Sequence, residues 1–176
     1  MEHTKNSNRY STRQIAFIGV MAAIVFVSNY IQIKIPVGIN DVTRIHVANA
    51  FCLLAGIALG PVPGGLAAGI GSALADVFSG YVLYAPATFA IKGAMALIVY
   101  FGYKLLSKKL PKRVSQLISC IVAEVVMVLG YFVFEGFLYG FGPSLVNIPA
   151  NAVQGLAGLI LGIILMNVFE KTKIKF

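Results

Sequence analysis

The sequence predicts an all-α integral membrane protein: six transmembrane helices in one compact bundle, with both termini in the cytoplasm. Three observations lead there. Of 176 residues, 59% are hydrophobic and only 11% charged, with a mean hydropathy of +0.86, whereas a soluble domain carries about 25% charged residues. Long apolar runs recur six times, at roughly 13–33, 46–60, 63–80, 86–105, 114–138 and 146–169, most of them near the roughly 20 residues that span a bilayer. The cations then fall between runs. Lys5, Arg9 and Arg13 precede the first, Lys104, Lys108, Lys109, Lys112 and Arg113 separate the fourth and fifth, and Lys171, Lys173 and Lys175 follow the sixth. With six helices all three clusters share one face, which the inward bias of Lys and Arg marks as cytoplasmic. Five or seven helices would split them.

The net charge of +8 therefore belongs to membrane flanks. Nucleic-acid binding is excluded because no soluble basic face exists to present it. The whole chain, 1–176, reads as a single membrane domain in the plasma membrane, with cytoplasmic tails at 1–12 and 170–176.

Each element has its own reason. The first run, Ile15 to Ile31, follows a basic segment but is longer than the apolar core of a signal peptide, so it reads as a retained helix. The second is short for a span and implies little tilt or a thinned bilayer. Gly60-Pro61-Val62-Pro63-Gly64 is a tight inner turn, because proline cannot continue the preceding helix. The third run repeats small residues four apart, at Gly65/Gly69, Ala67/Gly71 and Gly71/Ala75. Gly19/Ala23 in the first and Gly158/Gly162 in the sixth repeat that spacing. Such faces serve close packing inside a bundle or docking of another membrane protein. Asn49 to Gly60 also echoes Asn151 to Gly162, which would put the two asparagines at similar depth. Cys52 and Cys120 lie inside apolar runs and read as small buried hydrophobes.

Polar residues within the runs carry the functional signal. His46 and Asn49 open the second helix, Asp76 closes the third, and Lys92 lies about two turns into the fourth. Glu135 is near the outer end of the fifth, and Asn147, Asn151 and Gln154 line the start of the sixth. Nearly all fall in the outer half of the membrane, with Glu124 the exception nearer its middle. Such groups need partners in a bilayer. In one reading they surround a pocket open to the outside, with Tyr81, Tyr84, Tyr139 and Phe89 as aromatic walls and the loop Lys34–Ile45, bearing Asp41 and Arg44, closing over it. In the other they bond helix to helix, with Asp76 and Lys92 as a structural ion pair.

Enzyme motifs are absent. No Gly-Lys dipeptide occurs, so there is no phosphate loop, and no HExxH occurs. Ser72 follows Gly71 in a helix, but His3 and His46 are the two histidines and neither is placed to serve as its base.

Three stretches resemble a known family: Gly60-Pro-Val-Pro-Gly-Gly-Leu-Ala-Ala-Gly-Ile-Gly-Ser-Ala-Leu-Ala-Asp76, Tyr84-Ala-Pro-Ala-Thr-Phe-Ala-Ile-Lys-Gly93 and Asn147-Ile-Pro-Ala-Asn-Ala-Val-Gln154. They are similar to the substrate-binding S components of energy-coupling factor (ECF) transporters, in the group with riboflavin-type and hydroxymethylpyrimidine- or pyridoxine-type members. The resemblance covers essentially the whole chain. It implies a six-helix subunit that captures a small heteroaromatic vitamin and docks on a membrane coupling protein with two cytoplasmic ATPases. ATP is then used by those partners, and no cofactor belongs to this chain. A small-residue face on the first helix contacts the coupling protein in many members. Here Gly19 and Ala23 occupy the comparable place, with glycine where alanine is common. The chain has no Trp, which disfavours a site built on tryptophan stacking.

The expected ligand contacts are Asn49, Asp76, Tyr84, Lys92, Glu135, Asn151 and Gln154. Two other functions remain open from the residues: an ion-driven secondary transporter working through Asp76 or Glu124, and a non-transporting assembly subunit.

Overall fold

The computed structural model describes residues 11–37 and 41–172, with the side chains of 34–45 outside that description. Lys5, Arg9, Lys173, Lys175 and the side chains of Asp41 and Arg44 therefore lie outside the described residues.

Helix α1 runs Thr12–Ser28. A capping box starts it: Ser11 Oγ accepts from the Gln14 amide, and the Gln14 side chain accepts from the Ser11 amide. It ends earlier than the apolar run suggested. Ser28 Oγ and Asn29 Nδ2 both turn back to the Val25 carbonyl, at 2.7 and 2.8 Å, and competition of this kind unwinds a helix end. Where the sequence suggested a loop, strands β1 (Gln32–Val37) and β2 (Asp41–His46) form an antiparallel hairpin, with Gln32 opposite His46 at its base. The alternation Gln32-Ile33-Lys34-Ile35 carries the period of two that a strand requires.

Helices α2 (Ala48–Leu59) and α3 (Pro61–Phe78) meet at Gly60. Its φ of +86° is a conformation that side chains disfavour, and Pro61 then starts α3 where a helix tolerates proline. Helix α4 spans Ala85–Leu106 and α5 Lys112–Tyr139. The sixth apolar run is a short α6 (Phe141–Ser144), a single 3₁₀ turn (Leu145–Asn147) and the long α7 (Ile148–Thr172).

Among the described residues, three stretches are long and apolar enough to cross a membrane: Ala85–Leu106, Lys112–Tyr139 and Phe141–Thr172. Helix α2 is the outlier. Its 12 residues extend only about 18 Å, well short of a bilayer's roughly 30 Å core. The hairpin, residues 79–84 and residues 140–147 share one end of the bundle. Gly60, the α4–α5 turn and Thr172 share the other, where Gln116 Nε2 donates to Glu170 Oε1 across α5 and α7 at 2.6 Å.

Two kinds of contact hold the bundle. Among α1 to α4, glycines let backbones touch. A Cβ at Gly56 would strike the Ala96 carbonyl, one at Gly64 the Ala55 carbonyl, and one at Gly71 the Ala22 carbonyl. Around them, Leu53, Met95, Val99, Cys120, Met127 and Met166 form a closed apolar core, where loss of a buried side chain costs packing that neighbours only partly recover.

Candidate functional site

The centre of the site is Asn49, one residue into α2 and fully buried. Because α2 is so short, its first turn lies deep in the bundle, flanked by three other helices. Lys92 Nζ of α4 donates to Asn49 Oδ1 at 2.5 Å, and Gln154 Nε2 of α7 donates to the same oxygen at 3.4 Å. Asn49 Nδ2 donates in turn to Glu124 Oε2 of α5 at 2.8 Å. The amide thus stands between a buried base and a buried acid, its carbonyl toward the ammonium and its NH2 toward the carboxylate. That orientation is fixed by charge, since a primary amide has one face of each kind.

All four side chains are at least nine-tenths buried: Lys92 at 1% exposure, Asn49 at 0%, Gln154 at 4% and Glu124 at 6%. Isolated, either charge would be costly in a membrane. Paired through a neutral amide, their sum is zero. Tyr131 of α5 adds its ring face, 5.4 Å from Lys92 Nζ, and its hydroxyl is 3.1 Å from Thr88 Oγ1.

The sequence expectation placed Asn49, Lys92 and Gln154 together, and the structure joins them. Glu124, which the sequence set apart nearer the middle of the membrane, joins them, and Tyr131 was not singled out at all. Depths counted from the hairpin end put Glu124 far below the others, but α5 has 28 residues against 22 in α4 and 12 in α2. Counted from the opposite end, Asn49, Glu124 and Lys92 all lie about 15–21 Å in. A lone acid within the apolar run Ile118–Leu129 was the signal available. The echo between the second and sixth runs does not hold in depth. Asn49 packs against Gly158, about 10 Å along α7 from Asn151.

The remaining expected residues surround this centre differently. Asn151 is half-buried, one turn before Gln154 on α7. Glu135 is buried and accepts from Asn147 Nδ2 at 3.0 Å, which ties the 3₁₀ turn to α5. Tyr84 stands edge-on to both Tyr81 and Phe134, at 6.3 and 5.3 Å between centroids. Asp76 is half-buried near the end of α3 and within electrostatic reach of Lys92. Two proposed aromatic walls serve elsewhere: Phe89 covers Gly69 of α3, and Tyr139 is 55% exposed. Ser72 is buried against the Cys52 thiol at 3.7 Å. Gly19 and Ala23 both lie on the outward face of α1, and nothing among the described residues stands within 4 Å of a Cβ built on Gly19.

Comparison with known proteins gives the family and the fold. Residues 9–171 match the family model of the ECF-type riboflavin transporter S component. The solved structure of the S component of a bacterial ECF transporter is similar with a TM-score of 0.74 at 26% identity, over 91% of this chain and 96% of that one. An uncharacterized protein in the gap 3′ region of Pyrococcus woesei is 34% identical over 130 residues, 74% of this chain and 84% of that protein.

Proposed function

The chain belongs to the ECF-type riboflavin transporter S component family, a family of transporter subunits and not of enzymes, and on that premise we propose that it captures a small heteroaromatic vitamin from outside the cell. Riboflavin is the first ligand to test, with pyridoxine and hydroxymethylpyrimidine as the other members of the class. The observation that carries this reading is the Asn49-centred cluster, in which donors from α4 and α7 and an acceptor from α5 converge inside apolar walls. Buried polar groups of this kind fix the orientation of a flat, hydrogen-bonding solute. Lys92 and Gln154 donate to ligand oxygens or ring nitrogens, Asn151, Asp76 and Glu135 add polar contacts, and Tyr84 offers a ring face.

In this reading the chain crosses the plasma membrane six times with both termini in the cytoplasm. It carries no cofactor and delivers its ligand inward when docked on a membrane coupling protein with two cytoplasmic ATPases, which use the ATP. The outward Gly19/Ala23 face of α1 is where the coupling protein packs, since small residues permit close helix approach.

The test is calorimetric titration of each vitamin into detergent-purified protein, with Lys92→Met and Asn151→Ala as variants. Each variant is expected to weaken binding of the preferred vitamin by about tenfold, the value of one buried charge-assisted hydrogen bond. Unchanged affinity in both would remove these residues from the site. Failure of the parent protein to bind any of the three vitamins would remove the ligand class.

A further inference from the structure

The end of the bundle opposite the hairpin carries a second feature, which vitamin capture does not use. Lys104 lies in the last turn of α4, Lys108 and Lys109 follow in the connecting turn, and Lys112 and Arg113 open α5. All five are exposed. The sequence holds no acid between Asp76 and Glu124, so neither α4 nor this end of α5 offsets them. Glu170 on α7 is the one acid at this end among the described residues. It accepts from Gln116 and is followed by Lys171, so α7 adds no net negative charge.

Apolar groups are threaded among these cations. Phe101 is 55% exposed and Leu105 67%, both near the end of a helix long and apolar enough to cross a membrane. Leu110 and Val114 are exposed as well. Lipid therefore surrounds Phe101 and Leu105, and the cations that follow within about a turn stand at the level of the headgroups. Their aliphatic stems lie along apolar surface while the charged ends reach the polar layer. The inward bias of Lys and Arg requires cations in such a turn, but not exposed apolar groups between them. An acidic soluble protein would pair with the cations and leave Phe101 and Leu105 bare. An anionic lipid meets both, its chains against the apolar groups and its phosphate among the cations. We infer that the α4–α5 turn is a contact site for anionic phospholipid, with the headgroup phosphate held by Lys108, Lys112 and Arg113. The site is separate from vitamin capture and does not depend on it.

The absence of Trp makes a direct test simple, because one introduced Trp reports its own lipid neighbours. Phe101→Trp sits beneath the cations. Val133→Trp serves as the control, exposed and at a similar distance from the opposite end of α5. Each protein is placed in vesicles of phosphatidylcholine and phosphatidylglycerol, with bromine on the chains of one lipid or the other. At Phe101→Trp the anionic lipid is expected to be favoured about threefold, below the roughly fivefold that one surface cation supplies. At Val133→Trp the two lipids should quench alike. Lys108→Gln, Lys112→Gln and Arg113→Gln together should bring the Phe101→Trp ratio to about one. Salt near 1 M should do the same by screening, without those substitutions. Sodium phosphate should leave the ratio equal to that in sodium chloride of the same ionic strength, since the site takes a phosphate carried on an apolar body. Equal quenching by the two lipids at Phe101→Trp overturns the assignment and leaves the cations to an acidic protein. A preference as strong at Val133→Trp, one that survives the triple substitution, or one displaced by free phosphate overturns it as well.

Discussion

Glycine does different work in two halves of this bundle. Among α1 to α4, Gly56, Gly64 and Gly71 each face a backbone carbonyl of the next helix, and the gain is close van der Waals contact between main chains. Along α7, Gly155 and Gly158 face the Glu124 carboxylate and, at Gly158, the Asn49 side chain. There the missing side chain makes room for polar groups. The first half is a dry scaffold, while the α5–α7 seam holds the charges. The same small-xxx-small pattern in sequence therefore marks either rigidity or a site, and only the facing helix tells which.

The largest effect should come from breaking the charge balance at the seam. Lys92→Met leaves Glu124 buried without its base, and loss of one partner of a buried pair costs about 3–5 kcal/mol. Adding Glu124→Gln should return most of that stability without restoring vitamin binding. Unfolding in detergent measures the first and titration the second, and a double variant no more stable than Lys92→Met alone would break the contrast. On the scaffold side, Gly71→Leu should cost about 1–3 kcal/mol by overpacking against Ala22 and Val25, while the folded fraction keeps its vitamin affinity. Gly158→Ala should show the reverse: about 1 kcal/mol or less of stability, but a clear loss of affinity as Asn49 and Glu124 are displaced. Equal effects on affinity from the two glycine variants would erase the distinction drawn here.

Smaller effects sharpen it. Thr88→Val removes the contact with the Tyr131 hydroxyl and should cost about 0.6 kcal/mol, typical of hydrogen bonds between membrane helices. Gly19→Leu should leave stability within about 0.5 kcal/mol, since nothing among the described residues stands within 4 Å of a Cβ at that position. Vitamin uptake by whole cells carrying the coupling module should nevertheless fall sharply. Normal uptake by that variant would move the docking surface elsewhere.

Much of the architecture was legible without coordinates. The apolar runs located α1 to α5 and α7, the Pro-Gly cluster located the α2–α3 turn, and Asn49, Lys92 and Gln154 stood out as polar groups in apolar surroundings. The hairpin was less visible because the period-two pattern at Gln32–Ile35 is short and abuts a longer apolar run. Glu124 was set apart from Asn49 and Lys92 for a geometric reason: depth along a helix depends on which end is taken as level, and the spans differ in length.

What the sequence determined by itself is the solvent this protein folds in and the kinds of groups it must reconcile there. Apolar length and scarce charge require a bilayer, and a bilayer requires every buried donor, acceptor and charge to find a partner. Tertiary structure alone decided the partners. The shortness of α2 lowers Asn49 to the level of Glu124 and Lys92, so that one neutral amide joins acid to base across three helices. That height is set by how helices of unequal length pack side by side, a property of no single segment.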